Sequence, residues 1–219
     1  MTQSALPTPL IVPLGDGGLL VRFASQLSDA ANARAVAFAR LLRLRKLPEG
    51  VLEVVPSLVS VLLRYDPRRL SFATLSGEVR LLVGLEPPVR DAGRSHSVAI
   101  RFDGADLAEV SERLGLLPAD FIAAHNARPL RVLATGFAPG FVYCGFHPDP
   151  LRLDRRSAVR PLVPAGTVLF AAGQTAIAAT PIPTGWHVIG STDFRNFDPG
   201  QQPPTRLAAG DLLHFVVAP

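Results

Sequence analysis

The run G-F-A-P-G-F-V-Y at Gly136–Tyr143 decides how the chain is read, together with V-P-A-G at Val163–Gly166, A-G-Q-T at Ala172–Thr175 and G-W-H-V-I-G at Gly185–Gly190. Four turns punctuated by Gly or Pro alternate here with short apolar runs. The only Trp and the only Cys of the chain fall inside this stretch. Such turns join short strands, and polar residues held on them sit at the rim of a sheet, where binding groups are commonly placed. Working outward, residues 130–135, 141–143, 167–170, 176–179, 187–190 and 212–217 read as strands. That spacing predicts a barrel or sandwich.

Upstream the pattern changes. Leu19–Phe23 alternates as a half-buried strand, and Ser28 or Asp29 caps a helix running to about Lys46, with Ala31, Ala35, Phe38 and Leu42 on one stripe. Val51–Val55 and Leu58–Tyr65 read as two strands, and Ser71–Leu82 as a second helix. The order β-α-β-β-α is nearly the split βαβ of a ferredoxin-like sandwich, with its fourth strand unassigned. Ser97–Phe102 could complete that first domain or begin the next. Pro87-Pro88 and Gly93 place the boundary, which gives an α+β chain with a small N-terminal α/β domain over 1–92 and a β-barrel domain over 93–219. Short helices at Asp106–Leu114, ended by Gly115, and from Pro118 to His125 open the second domain.

Composition excludes several classes. Apolar residues make up 48% of the 219 and charged residues 18%, enough for a core and against disorder. The net charge of +4 is spread over scattered arginines, with no basic stripe to recommend nucleic acid as a partner. Lys46 is the sole lysine and has no P-loop context, so any ATP or biotin must be carried by another polypeptide. A lone Cys144 fits a reducing cytoplasm and forms no thiolate zinc site; no carboxylate or histidine spacing suggests a metal. The N-terminus lacks the form of a signal peptide, and no run of about 18 apolar residues offers a membrane span.

Several motifs in order carry a family resemblance. G-F-A-P-G-F-V-Y is followed by Arg155–Arg156, Arg160, V-P-A-G-T-V at 163–168, G-Q-T at 173–175, G-W-H-V-I-G at 185–190 and A-G-D at 209–211. The front half adds L-G-D from Leu14 and G-V-L-E-V-V-P-S-L-V-S-V-L-L-R-Y-D-P from Gly50 to Pro67. The chain resembles the B-subunit family of the ATP-dependent 5-oxoprolinases, which includes the sensor-kinase inhibitor KipI and allophanate hydrolase subunit 1. The resemblance implies a cyclophilin-like β-barrel after the N-terminal domain. It implies a homologous KipA-like subunit and a third oxoprolinase subunit as partners, with ATP bound at a partner and no cofactor on this chain. It leaves open two other activities: inhibition of a histidine kinase, and one half of a carboxyltransferase acting with a biotin carboxylase. The sequence departs from the family pattern at Thr184, at Asp154 and Val159, at Leu130, at Cys144, and at Ser191, where an arginine is expected.

The candidate substrate-binding residues are Gly136, Gly140, Tyr143, Arg155, Arg160, Gln174, Thr175 and Trp186. Gly136 and Gly140 shape a turn that either converges backbone N–H groups on an oxyanion or merely turns. Arg155 and Arg160 carry forks suited to a carboxylate or bicarbonate. Gln174 and Thr175 are suited to orienting an amide or lactam, and Trp186 to walling the barrel mouth. His125 is the candidate acid/base, set against a satisfied histidine at a helix end; His147 and His214 look incidental.

Overall fold

A computed structural model describes residues 8–85 and 93–219. The chain divides into two compact units, residues 1–91 and 92–219. The boundary expected at 92/93 falls at the edge of the segment outside the described residues.

The first unit contains β1 (Leu10–Pro13), β2 (Gly18–Arg22), α1 (Asp29–Leu44), β3 (Val51–Pro56), β4 (Ser60–Tyr65) and α2 (Phe72–Leu82). The hydroxyls of Ser28 and Ser71 accept from Ala31 N–H and Thr74 N–H, satisfying donors that a helix N-terminus leaves free. The apolar stripe of α1 is buried as the periodicity demands, with Ala35, Phe38 and Leu42 at 0% exposure. They pack with Leu19, Val21, Val61, Leu63, Leu75 and Val79 in one core between helices and sheet. The sheet runs β1-β2-β4-β3, all antiparallel. This differs from the expected ferredoxin-like order. The strand following α2 pairs elsewhere, and β1 takes the edge beside β2. The Pro that closes β1 is tolerated because the strand lies at an edge.

The second unit begins with β5 (Ser95–Ile100), α3 (Leu107–Arg113) and α4 (Pro118–Asn126). Then come β6 (Leu130–Thr135), β7 (Val142–Gly145), a 3₁₀ turn at Asp149–Leu151, β8 (Arg160–Val163), β9 (Thr167–Ala171), β10 (Gln174–Ile177), β11 (Ile182–Thr184), β12 (His187–Ser191) and β13 (Leu212–Val217). Seven strands form one sheet in the order β12-β9-β10-β7-β6-β13-β5, and β8 pairs with β11 alone. Among the described residues only β13 and β5 run parallel. Residues 95–100 therefore open the second unit rather than complete the first.

The large sheet curls until its ends meet. Arg101 N–H donates to Ser191 C=O at 2.9 Å, Ser191 N–H returns the bond at 2.8 Å, and Asp106 N–H donates to Val188 C=O at 3.0 Å. The chain leaving β5 thus runs along β12 and removes an open edge. Two glycines make the seam close enough. A Cβ at Gly190 would run into the Arg101 carbonyl oxygen, and one at Gly104 into the Ile189–Gly190 backbone.

Both faces of β9 and β10 are covered, and every residue of the two strands is buried. Val168, Phe170 and Ile177 join Val142, Val110, Phe121 and Phe215 in one core. Leu169, Ala171 and Ala176 face the other way and pack with Val163 and Ile182 from the β8–β11 pair, and with Phe141 and Trp186. Burial on both faces explains the unbroken apolar run Val168–Ala171 in β9, while β10 buries the polar pair Gln174 and Thr175 ahead of Ala176 and Ile177.

Replacing Gly190 with alanine is expected to destabilise the chain by about 3 kcal/mol or more, since backbone on both sides of the seam must move. A shift in the urea midpoint measures it, and an unchanged midpoint contradicts the tight seam.

Candidate functional site

The predicted site residues separate onto the two faces of the β7–β10–β9 sheet. On the face shared with the β8–β11 pair, aromatic rings form a ladder. Phe137 meets Phe141 at 5.5 Å, Phe141 meets Tyr143 at 4.8 Å, and Tyr143 meets Trp186 at 5.9 Å between centroids. The Arg155 guanidinium lies 5.7 Å from the Trp186 ring centroid, within cation–π range. Tyr143, Arg155 and Trp186 are therefore brought together. Burial raises the Tyr143 phenol pKa, and the positive charge of Arg155 pulls it back in part. Phe137 is 71% exposed at the rim, with a left-handed φ of 78° that a bulky residue rarely adopts.

Gln174 belongs to the same face, because its neighbour but one, Ala176, pairs with Tyr143 across β10 and β7. It is 7% exposed, and its Oε1 has no hydrogen-bond partner among the described residues. Gly136 and Gly140 are spent on the turn itself. Gly136 N–H donates to Phe141 C=O at 3.0 Å and Phe141 N–H to Ala138 C=O at 3.1 Å, so these two donors point inward, away from any oxyanion. Gly140 is buried, and a Cβ there would stand 2.5 Å from Phe197 Cβ. It serves packing.

Arg160 is placed differently from the sequence expectation. Its fork is occupied by Asp106, with Nη1 donating to Oδ2 at 2.6 Å and Nη2 to Oδ1 at 2.8 Å. Arg156 Nη1 donates to Oδ1 at 2.8 Å and Val188 N–H to Oδ2 at 2.7 Å, so four hydrogen bonds converge on one carboxylate. Burial alone would raise the Asp106 pKa. The hydrogen bonds from Arg160 and Val188, with the charges of Arg160 and Arg156, outweigh it and hold the carboxyl at about 2. Asp106 goes unnoticed in the sequence because an Asp at a helix start reads as a cap. Here its side chain makes no capping bond.

The other face hides a second polar group. His125 and His147 both bond the Thr175 hydroxyl through Nε2, each at 2.8 Å, and His125 Nδ1 donates to Asn126 Oδ1 at 2.7 Å. The order of protons follows. His125 Nε2 accepts from the Thr175 hydroxyl, whose oxygen accepts from His147 Nε2–H. All three side chains are buried, with Phe121, Phe170 and Phe215 packed around His125. Burial depresses the His125 pKa to about 4, with the Asn126 bond opposing. Burial, then the charges of His125 and Arg128, depresses that of His147 further. Both rings are neutral at pH 7. His125 and Thr175 are thus sealed core groups, away from the Tyr143 face, and His147 is a member of the same group rather than incidental. His187, at 0% exposure, donates Nε2–H to Asp154 C=O at 3.1 Å. Burial pushes the Cys144 thiol well up, which leaves it unreactive.

Ser191 lies on the closing seam, where its hydroxyl donates to Asp103 Oδ2 at 3.0 Å. Five residues of strand, roughly 16 Å at the usual rise, separate it from Trp186. The missing family arginine therefore concerns the seam and not the aromatic ladder. Among the described residues no group of three or more His, Cys, Asp or Glu is arranged to hold a metal, and no helix is long and apolar enough to cross a membrane.

Residues 9–207 match the family described as carboxyltransferase domain, subdomain C and D. The chain belongs to that family. It is 30% identical to the 5-oxoprolinase B-subunit of Bacillus subtilis, covering 94% of this chain and 91% of the relative. It is 31% identical to the Haemophilus influenzae protein of the same name, covering 94% and 97%. Among solved structures, TTHA0988 superposes with a TM-score of 0.81 at 38% identity over 92% of this chain, which spans 40% of that longer chain. The Kluyveromyces lactis urea carboxylase superposes at 0.74 with 14% identity, covering 99% of this chain and 22% of that one, and shows a shared fold.

Two stability outcomes are expected. His125 and His147 have folded-state values below the ordinary 6.5, so protons favour the unfolded chain; stability is complete above about pH 6.5 and falls as pH drops toward 4. Below about 3.8 the decline continues as Asp106 protonates. Urea unfolding across pH 3–8 checks this, and a flat profile from 6.5 to 4 contradicts it. Thr175→Val leaves two buried ring nitrogens unpaired and is expected to cost about 2–4 kcal/mol in the same assay.

Proposed function

We propose that the chain is the B-subunit of an ATP-dependent 5-oxoprolinase, acting in the cytoplasm. It supplies one wall of a composite site at which 5-oxoproline is opened to L-glutamate. The observation that carries this is the make-up of the Tyr143 face. It offers a cation at Arg155 and an aromatic floor at Trp186 and Tyr143, suited to a carboxylate and a flat ring; Gln174 Oε1 on the same face is buried and has no partner among the described residues. Among the described residues it offers no reactive nucleophile or accessible base. The candidate base His125 is sealed in the core, and Cys144 is inert.

Such a wall orients and binds, and the chemistry must come from elsewhere. A homologous KipA-like subunit would face it, and a third subunit would bring ATP. The greater length of TTHA0988 supports this, because a unit of this fold is there joined to further chain. On the same reading the curled sheet is a cyclophilin-like barrel. The family description favours a second reading, one half of a carboxyltransferase, with Arg155 holding a carboxylate in transfer.

Co-expression with the two partner subunits tests the proposal. The assembly is expected to turn over 5-oxoproline only with ATP, and the isolated chain not at all. Arg155→Ala in the assembly is expected to lower kcat/KM by about 10- to 100-fold, the loss of one charge-assisted hydrogen bond. Turnover by the isolated chain would refute a composite site. Turnover of a biotin-borne carboxyl group in place of 5-oxoproline would establish the second reading.

A further inference from the structure

Three arginines stand within six residues, yet they are not equivalent. Arg160 gives its whole fork to Asp106, and Arg156 shares that carboxylate while lying 3.7 Å from Glu109. Asp106 thus holds both guanidinium groups, while Glu109 is shared with Arg113, which lies closer to it at 3.4 Å. Arg155 has no carboxylate partner among the described residues; it is exposed and lies over Trp186. The arginines held on Asp106 and the unmatched Arg155 are linked through the backbone. Arg156 follows Arg155 directly and donates its N–H to Gly185 C=O, just before Trp186, at 2.8 Å. Val188, two residues after Trp186, donates its N–H to Asp106.

We propose that Asp106 sets the charge class of ligand that the Tyr143–Arg155–Trp186 wall accepts. By holding the donors of Arg156 and Arg160 and cancelling one of their two charges, it leaves Arg155 as the guanidinium that faces solvent, and so selects a singly charged carboxylate on a flat body against phosphates and other dianions. The inference rests on the reading of this wall as a substrate surface. Asp106 itself touches no ligand; it is a positioning and charge-matching residue. Releasing the Arg160 fork would add a positive charge beside the same pair of loops. At a separation of several ångströms in a half-exposed site, that is worth about tenfold in affinity for each extra ligand charge.

Trp186 is the only Trp of the chain, so its fluorescence reports the wall directly. The full-length chain is titrated at constant ionic strength and pH 8 with L-5-oxoproline, a monoanion, and with inorganic phosphate, mostly a dianion. The wild type is expected to respond to 5-oxoproline and to bind phosphate at least about tenfold more weakly. Asp106→Asn, nearly isosteric, is expected to shift the preference toward phosphate by about tenfold or more. Asp106→Asn/Arg160→Gln, which removes both partners, is expected to restore it. A loosened fold alone would weaken both anions together and leave their ratio unmoved.

A Trp186 signal that answers neither anion overturns both the wall and the role of Asp106. A wild type that prefers 5-oxoproline, with the same preference in Asp106→Asn, overturns the role of Asp106 and leaves the wall standing. Should Asp106→Asn fail to fold, the wild-type ratio still decides, because equal or tighter phosphate binding contradicts the inference.

Discussion

A carboxylate buried to 3% exposure is costly unless its charge is met, and at Asp106 it is met four times over. Those four bonds come from three separate stretches: the loop holding Arg156, the first residue of β8, and the backbone of β12. Asp106 stands at the entry to α3, so the cluster fastens the helical layer to the sheet and to the strand pair that covers its second face. Removing the carboxylate would leave two guanidinium groups facing each other in a half-buried setting. The loops that carry Arg155 and Trp186 hold their spacing through this cluster.

Much of the fold is legible in the sequence for simple reasons. The stripe of α1 is set by a 3.6-residue period and a single buried face, so Ala35, Phe38 and Leu42 announce themselves. The strands at 130–135 and 212–217 have the limits their sequence suggests, since apolar runs bounded by turn residues have few other uses. What escapes such reading is β1, β8 and β11. Each is three or four residues long and contains a Pro, and each lies at a sheet edge or in the isolated pair, where a missing N–H does little harm. The ferredoxin-like order fails for a related reason. Nothing local in L-I-V-P shows that it will pair beside β2.

The candidate site is half legible. Tyr143, Arg155 and Trp186 do converge, because the β8–β11 pair, near whose ends Arg155 and Trp186 lie, packs over the sheet face to which Tyr143 points. Sequence does not tell which face a side chain takes. Gln174 and Thr175 are neighbours, yet a strand sends them to opposite sides, one toward the aromatic ladder and one into the histidine core. Nor does it tell which arginine is spoken for, since the partner of Arg160 lies 54 positions away.

The parallel pairing of β13 with β5 joins residues more than a hundred positions apart. During synthesis, therefore, β5 leaves the ribosome long before its neighbour exists, and the curled sheet stands open until residues 212–217 emerge. Closure that awaits so distant a strand is slow on topological grounds, and in the interval the bare edges of β5 and β6 can be met by another strand. A protein built this way gains from meeting a chaperone while its last strand is still being made.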